Sequence, residues 1–244
     1  MTPASRYPFG PRGAARYLQA VHSLVAQYGG DCWPLDDAPG SAVARSLTGA
    51  YPGAVSATGV TFGQQGPLCA GQYAGAAGFD GAVSNPIVTT FCPAEAWTHL
   101  GWIRRVVTDV YSASICSLNN GLSNTISLNL AGNLRPIIYC SGNNFRYFNS
   151  VNSDDGGWHF FCAVLPGADQ NAITASKFYW DGVPVSVVGT NNSAPQQART
   201  SFCVGTQNPV HKWIGHISFL ACLPSAALSA EEIRTLYLTA TQGD

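Results

Sequence analysis

The sequence predicts an all-β protein: two antiparallel sheets packed face to face as one sandwich domain, with a short helix near each terminus. Three observations carry this. The run Trp158-His159-Phe160-Phe161-Cys162-Ala163-Val164-Leu165 follows a Gly156-Gly157 turn and is apolar on both alternating faces, apart from His159. That is the pattern of a strand lying inside a stack of layers rather than on its outside. Asp181-Gly182 stands between Lys177-Phe178-Tyr179-Trp180 and Val183-Pro184-Val185; a tight primed turn needs positive φ, which glycine takes without strain, so this is a hairpin signal. Finally, 26 glycines and 15 prolines punctuate the 244 residues, as a many-stranded chain requires, and one large sandwich can hold that length.

Taken in order, residues 1–16 predict an extended arm, because Pro3, Pro8 and Pro11 oppose a helix. Arg6, Tyr7, Phe9 and Arg12 are its candidates for contact with a neighbouring protein. Residues 17–244 form the domain. A helix is expected over 14–28, where Tyr17, Leu18, Val21, Leu24, Val25 and Tyr28 make one apolar stripe and Gly29-Gly30 ends it. A strand is expected over Ala96–Val107. A hairpin is expected between Leu118 and Leu130 around Gly121, and two further strands at Leu134–Cys140 and Asn144–Asn149. Pro184 cannot donate to a ladder, so the strand after Asp181-Gly182 belongs at an edge. The segment Thr190–Gln197 reads as a loop, and Trp213–Leu223 as a strand. A terminal helix over 229–240 carries a capping box, Ser229 with Glu232, a staple of Leu228 with Ile233, and the stripe Ile233, Leu236, Tyr237, Ala240.

Charged residues make up 10% of the chain and the formal net charge is −1, against a usual ~25% charged. Two explanations stay open: a surface that meets other subunits, or a polar surface built from glycine and asparagine. The balance excludes an electrostatic nucleic-acid binder. The eight cysteines are Cys32, Cys69, Cys92, Cys116, Cys140, Cys162, Cys203 and Cys222. Several stand mid-strand, as in Phe161-Cys162-Ala163 and Ala221-Cys222-Leu223, so reduced core thiols and folding in a reducing cytosol are expected. No signal peptide is read at the N-terminus, and no run reaches the ~18–20 apolar residues of a membrane span.

The order Gly156-Gly157-Trp158-His159, Tyr179-Trp180-Asp181-Gly182, Gly215-His216-Ile217-Ser218-Phe219 and Leu228-Ser229-Ala230-Glu231-Glu232-Ile233 resembles the laminin-G-like, concanavalin A-like jelly roll. The earlier block Cys32-Trp33-Pro34-Leu35-Asp36-Asp37, with Gly59-Val60-Thr61-Phe62 and Gly78-Phe79-Asp80-Gly81, resembles the opening of such domains in bacteriophage tail and minor structural proteins. The resemblance spans roughly residues 17–238. It implies that Trp158, Trp180 and Trp213 are core residues.

The catalytic pattern of hydrolases on this fold, Glu-x-Asp-x-Glu along one strand, is missing; Glu95, Glu231 and Glu232 are the only glutamates, and the last two are helix-cap residues. No enzyme is expected. The resemblance raises calcium, which wants about six to eight oxygen ligands. The family's Ile-Asp-Asp is replaced by Ile217-Ser218-Phe219, and its Asp-x-Ser-Gly by Arg45-Ser46-Leu47-Thr48-Gly49. No cofactor is therefore expected, with calcium left open through Asp36, Asp37 and Asp80. Sugar binding needs aromatic faces and amides; the candidates are Asn143, Asn144, Tyr147 and His211, with Trp102 of the same kind. The function expected is a non-enzymatic, multi-copy or homo-oligomeric phage virion protein, a head decoration or tail-fibre component, anchored by its arm to other virion proteins. The alternative is a carbohydrate-binding module for a host-surface or environmental glycan.

Overall fold

The structure, a computed structural model, describes residues 11–67, 75–83, 86–91, 96–106, 112–118, 125–129, 135–140, 144–153, 155–167, 171–192, 201–205 and 213–242. In chain order its elements are α1 (Pro11–Tyr28), β1 (Asp31–Trp33), β2 (Val43–Ala44), β3 (Gly53–Val55), β4 (Val60–Gln65), β5 (Gly75–Asp80), β6 (Ile87–Thr89) and β7 (Trp97–Arg105). They continue with β8 (Ser112–Leu118), β9 (Thr125–Asn129), β10 (Arg135–Cys140), β11 (Asn144–Phe148), β12 (His159–Leu165) and α2 (Ala172–Ala175). The last are β13 (Lys177–Trp180), β14 (Val183–Pro184), β15 (Val187–Asn191), β16 (Phe202–Val204), β17 (Ile214–Pro224) and α3 (Ala230–Thr241).

Among the described residues the strands form two antiparallel sheets. One runs β14-β13-β12-β7-β17-β5-β4, with β1 also on β17; the other runs β15-β11-β10-β9-β8-β16-β6-β3-β2. The first is covered on both sides. Its inner face meets the second sheet through a core of Trp33, Trp97, Ile103, Phe161, Phe178, Phe202, Trp213 and Leu220, among others. Its outer face carries α1 and α3 over Leu100, Trp102, Phe160, Cys162 and Tyr179. This explains why β12 is apolar on both alternating faces: a sheet lies beneath it and helices, rather than a third sheet, above. Trp158, Trp180 and Trp213 are all buried, as the resemblance implied.

Helix α1 starts at Pro11, so residues 11–16 are helical and not an extended arm. Proline at the first helical position gives up only an N–H that would be unpartnered anyway, and its φ already suits the helix. Tyr17, Val21 and Val25 are buried on the predicted stripe. The helix ends at Gly29 and Gly30, both at positive φ. At Gly30 a Cβ would lie 2.1 Å from the Cys222 carbonyl oxygen, so only glycine lets β1 reach β17.

The Asp181-Gly182 hairpin forms as read: Trp180 pairs with Val183 and Tyr179 with Pro184, with φ of 50° and 75° at the two turn residues. Pro184 lies on β14 at the edge of its sheet. The capping box of α3 is present, with Ser229 Oγ accepting from the Glu232 N–H and the Glu232 carboxylate accepting from the Ser229 N–H. The hairpin expected at Leu118–Leu130 is β8 with β9, but β8 begins earlier, at Ser112. Thr190 and Asn191, read as loop, belong to β15 on β11. Cys32, Cys116 and Cys162 are free, buried thiols, and Cys203 and Cys222 are buried as well. Among the described residues no helix is long and apolar enough to cross a membrane.

Candidate functional site

The edge region of the second sheet presents aromatic side chains outward. Phe148 and Ile138 point into the core between the sheets, and Ile138 is paired with Arg146. Alternation then sends Phe145 and Tyr147 of β11, with Ile137 and Tyr139 of β10, to the outer face. The register pairs Tyr139 with Phe145 and Ile137 with Tyr147, and directly opposed residues share a face. The Phe145 and Tyr147 rings meet edge to face at 4.7 Å. Tyr139, Phe145 and Tyr147 are each partly exposed. On the other side of β11, Gly189 pairs with Tyr147 and Asn191 with Phe145; beside Tyr147 the space at Gly189 is open, with nothing within 4 Å of where a Cβ would stand.

Arg146 holds this strand in place from the opposite face. Its Nη1 donates to the carbonyls of Thr174 and Ser176, the latter at 2.7 Å, at the C-terminal end of α2. Those carbonyls lack helical donors and attract a cation. A guanidinium anchored inward at 146 leaves 145 and 147 no choice of face.

The predicted residues divide accordingly. Tyr147 is on the outer strip. Asn144 is not a surface contact: its side chain is fully buried, because it shares the inward face of β11 with Arg146 and Phe148. Trp102, 1% exposed, lies under the helices, 6.1 Å from the rings of Tyr17 and Tyr237. Arg12 is exposed in the first turn of α1, a helical position. Asn143, His211, Arg6, Tyr7 and Phe9 lie outside the described residues. Sequence reading missed Phe145 and Tyr139; alternation about the core residues Ile138 and Phe148 is the signal that finds them.

The aspartates raised for calcium are engaged within the chain. The Asp37 carboxylate accepts from Arg45 Nε at 2.8 Å and from the Arg45 N–H, and Arg45 Nη2 also reaches Asp36 at 3.4 Å. Burial raises the Asp36 carboxyl although Arg45 opposes the shift. Asp80 accepts from the Ala82 N–H at 2.7 Å. Among the described residues no group of three or more His, Cys, Asp or Glu is arranged to hold a metal ion.

One cluster of titratable groups was not foreseen. His159 Nδ1 meets Asp181 at 2.8 Å and Nε2 meets Asp155 at 3.0 Å, and the ring stacks on Trp180 at 4.8 Å. Burial pulls the imidazole pKa down, but the two carboxylates outweigh it and the net shift is upward. Asp181 also accepts from the Phe160 N–H at 2.9 Å. With both ring nitrogens committed to carboxylates, His159 has no free lone pair to take a substrate proton. Chemically it is a clasp between the start of β12 and the β13–β14 turn.

On the outer face of the first sheet, beyond the helices, Arg104 Nη2 lies 3.4 Å from His216 Nδ1, and its guanidinium sits over the Trp158 ring, 5.5 Å from the centroid. Burial, then the charge of Arg104, holds the His216 pKa down at about 4.

The chain resembles known proteins at the level of fold. Domain 4 of AbnA, an extracellular arabinanase from Geobacillus stearothermophilus solved with arabinotriose, matches with a TM-score of 0.58 at 16% identity, over 85% of this chain and 97% of that domain. A Trypanosoma rangeli sialidase matches with a TM-score of 0.60 at 12% identity, over 93% of this chain; this chain spans only 38% of the sialidase. The binding domain of Paraclostridial Mosquitocidal Protein 1 matches with a TM-score of 0.55 at 14% identity, over 83% of this chain and 52% of that one. No curated protein sequence matches. The family model described as the concanavalin A-like lectin/glucanases superfamily matches residues 76–234, well over half the chain, and the chain belongs to that family.

Proposed function

We propose that the protein is a non-catalytic carbohydrate-binding jelly roll that holds its glycan on the outer strip of β10 and β11. The observation that carries this reading is the outward array of Tyr139, Phe145 and Tyr147, with the open space at Gly189 and the amide of Asn191 beside it. Aromatic faces stack on the apolar faces of sugars and an amide satisfies hydroxyls. The fold supports it, since domain 4 of AbnA was solved with arabinotriose. The reading is non-catalytic because the acidic side chains of the clasp, Asp155 and Asp181, are engaged with His159 and with backbone N–H groups. A glycan array tests it: saturable binding is expected, weakened roughly 3- to 10-fold by Tyr147→Ala, the range of one aromatic contact. Binding indifferent to Tyr147→Ala, in a variant that melts like the parent, contradicts the reading.

A second reading concerns where the domain works: on the surface of a bacteriophage particle, in many copies, held to other virion proteins by the segment leading into α1. The thiols favour it. Cys32, Cys116 and Cys162 are buried free thiols whose pKa values burial raises, and burial pushes the Cys203 thiol up to about 12. Such thiols are inert and suit a protein folded in a reducing cytosol, where virions assemble. The Cys32-Trp33-Pro34-Leu35 opening, which resembles phage structural proteins, points the same way. Immunogold electron microscopy of purified particles is expected to label their surface; a protein found only as free monomer in the lysate rejects this placement.

A further inference from the structure

The first sheet carries a second surface with the opposite chemistry to the aromatic strip. His216 pairs directly with Arg104 on one side and with Gly78 on the other, and Gly78 pairs with Thr61. Trp158 immediately precedes His159, which pairs with Ile103, so it continues the same row. Trp158, Arg104, His216, Gly78 and Thr61 therefore lie side by side across five adjacent strands, a width of about 19 Å at the usual strand spacing. They share the outer face, because Ile103, Ile217, Ala77 and Phe79 occupy the inner one. The helices cover Leu100 and Trp102 but stop short of Arg104 and His216, which are half-buried. Gly78 carries no side chain, and Gln64 and the His216 ring close over it, at 3.2 and 3.6 Å from where a Cβ would stand.

The hydrogen-bonding character of this row is one-sided. Arg104 has no carboxylate partner among the described residues; its charge rests on the Trp158 ring, a contact that stabilises a cation without neutralising it. Because Arg104 donates to Nδ1, the neutral His216 ring carries its proton on Nε2, a second donor in the row. The Trp158 indole N–H is buried with no acceptor. The nearby acidic groups are occupied elsewhere: Asp155 with His159 and the Gly157 N–H, Asp80 with the Ala82 N–H. Beyond the bond to His216 Nδ1, the guanidinium keeps further N–H donors, and the neutral imidazole adds one at Nε2.

We propose that Arg104 and His216, with the Trp158 ring held against the guanidinium, bind the carboxylate of an acidic saccharide, whose neighbouring rings lie along the row over Gly78 toward Gln64 and Thr61. A planar carboxylate takes two parallel N–H bonds from a guanidinium, and the length of the row suits an oligomer rather than an isolated ion. This site is separate from the Tyr147 strip and does not depend on it.

The test is titration calorimetry of the full chain with trigalacturonate, its fully methyl-esterified counterpart, and the pair sialyllactose and lactose, which separates uronate from sialate sources. At least one free acid is expected to bind and its neutral partner to bind ten- to a hundredfold more weakly, the range of a charge-assisted hydrogen bond. R104Q is expected to abolish that preference, and R104K, which keeps the charge and loses the fork, to reduce it partway. Tyr147→Ala is expected to leave it unchanged. Equal binding of acid and neutral forms, no binding of either acid, or an acid preference that survives R104Q in a folded variant overturns the proposal. Loss through Tyr147→Ala alone also overturns it while leaving the strip as the binding surface.

Discussion

His159 shows how much one side chain can decide. It is clamped between Asp155 and Asp181 and stacked on Trp180, so its imidazolium joins the Gly156-Gly157 turn to the Asp181-Gly182 hairpin. The folded pKa is raised above the ordinary 6.5. A group of that sign contributes stability fully present below the unfolded value and lost as pH rises through the folded one. Thermal melts between about pH 5.5 and pH 9 are expected to show the parent most stabilised over His159→Gln at the acidic end, with the gap closing toward the alkaline end. A gap independent of pH would mean the ring acts by packing alone. The sequence disclosed His159 only as the polar exception in an apolar run, because its partners are 4 and 22 residues away and meet it only when the hairpin folds back.

At the scale of the element, β17 marks where the sequence was readable and where it was not. Its length and apolar faces were legible. Its bulge was not: Phe219 takes φ of 50°, and the pairing with β7 shifts between Ser218 and Ala221. Ser218 and Phe219 therefore both face outward, Ser218 to donate to the Gly75 carbonyl and Phe219 to meet Tyr17 at 5.9 Å. Nothing local in Ile217-Ser218-Phe219-Leu220 signals an extra residue, since bulges answer to partner strands. Trp102 was misread for a related reason. Alternation assigns it a face, but only the docking of α1 and α3 buries that face. The α3 cap, by contrast, is local chemistry and was legible from Ser229 and Glu232. Ser229→Ala is expected to cost about 1 kcal/mol, a melting temperature lower by roughly 2–4 °C for a chain of this size. The Glu232 carboxyl, held low first by the Ser229 N–H, keeps that backbone bond. An unchanged melting temperature would show that α3 is held by Ile233 and Leu236 alone.

For the whole molecule, the layered arrangement ties fold to role. The two sheets bury Trp33, Trp97, Trp180 and Trp213 between them, and the helices cover Trp102 on one outer face. What remains outward is an aromatic strip on one sheet and a basic row on the other. Periodicity gave the sandwich, because it follows from alternation along single strands, whereas the burial of Trp158, Trp180 and Trp213 was implied by the family resemblance. The surfaces were only partly legible, since Asn144 and Tyr147 sit three residues apart on opposite faces and the choice between them depends on which neighbours form the core. The central claim is that the molecule holds a glycan and leaves it intact. The most direct measurement incubates the protein with a polysaccharide that the array selects, and scores retained protein and released reducing ends in the same tube. The account predicts retention that weakens in Tyr147→Ala and no release of reducing sugar; release by the parent, or retention untouched by the substitution, would contradict it.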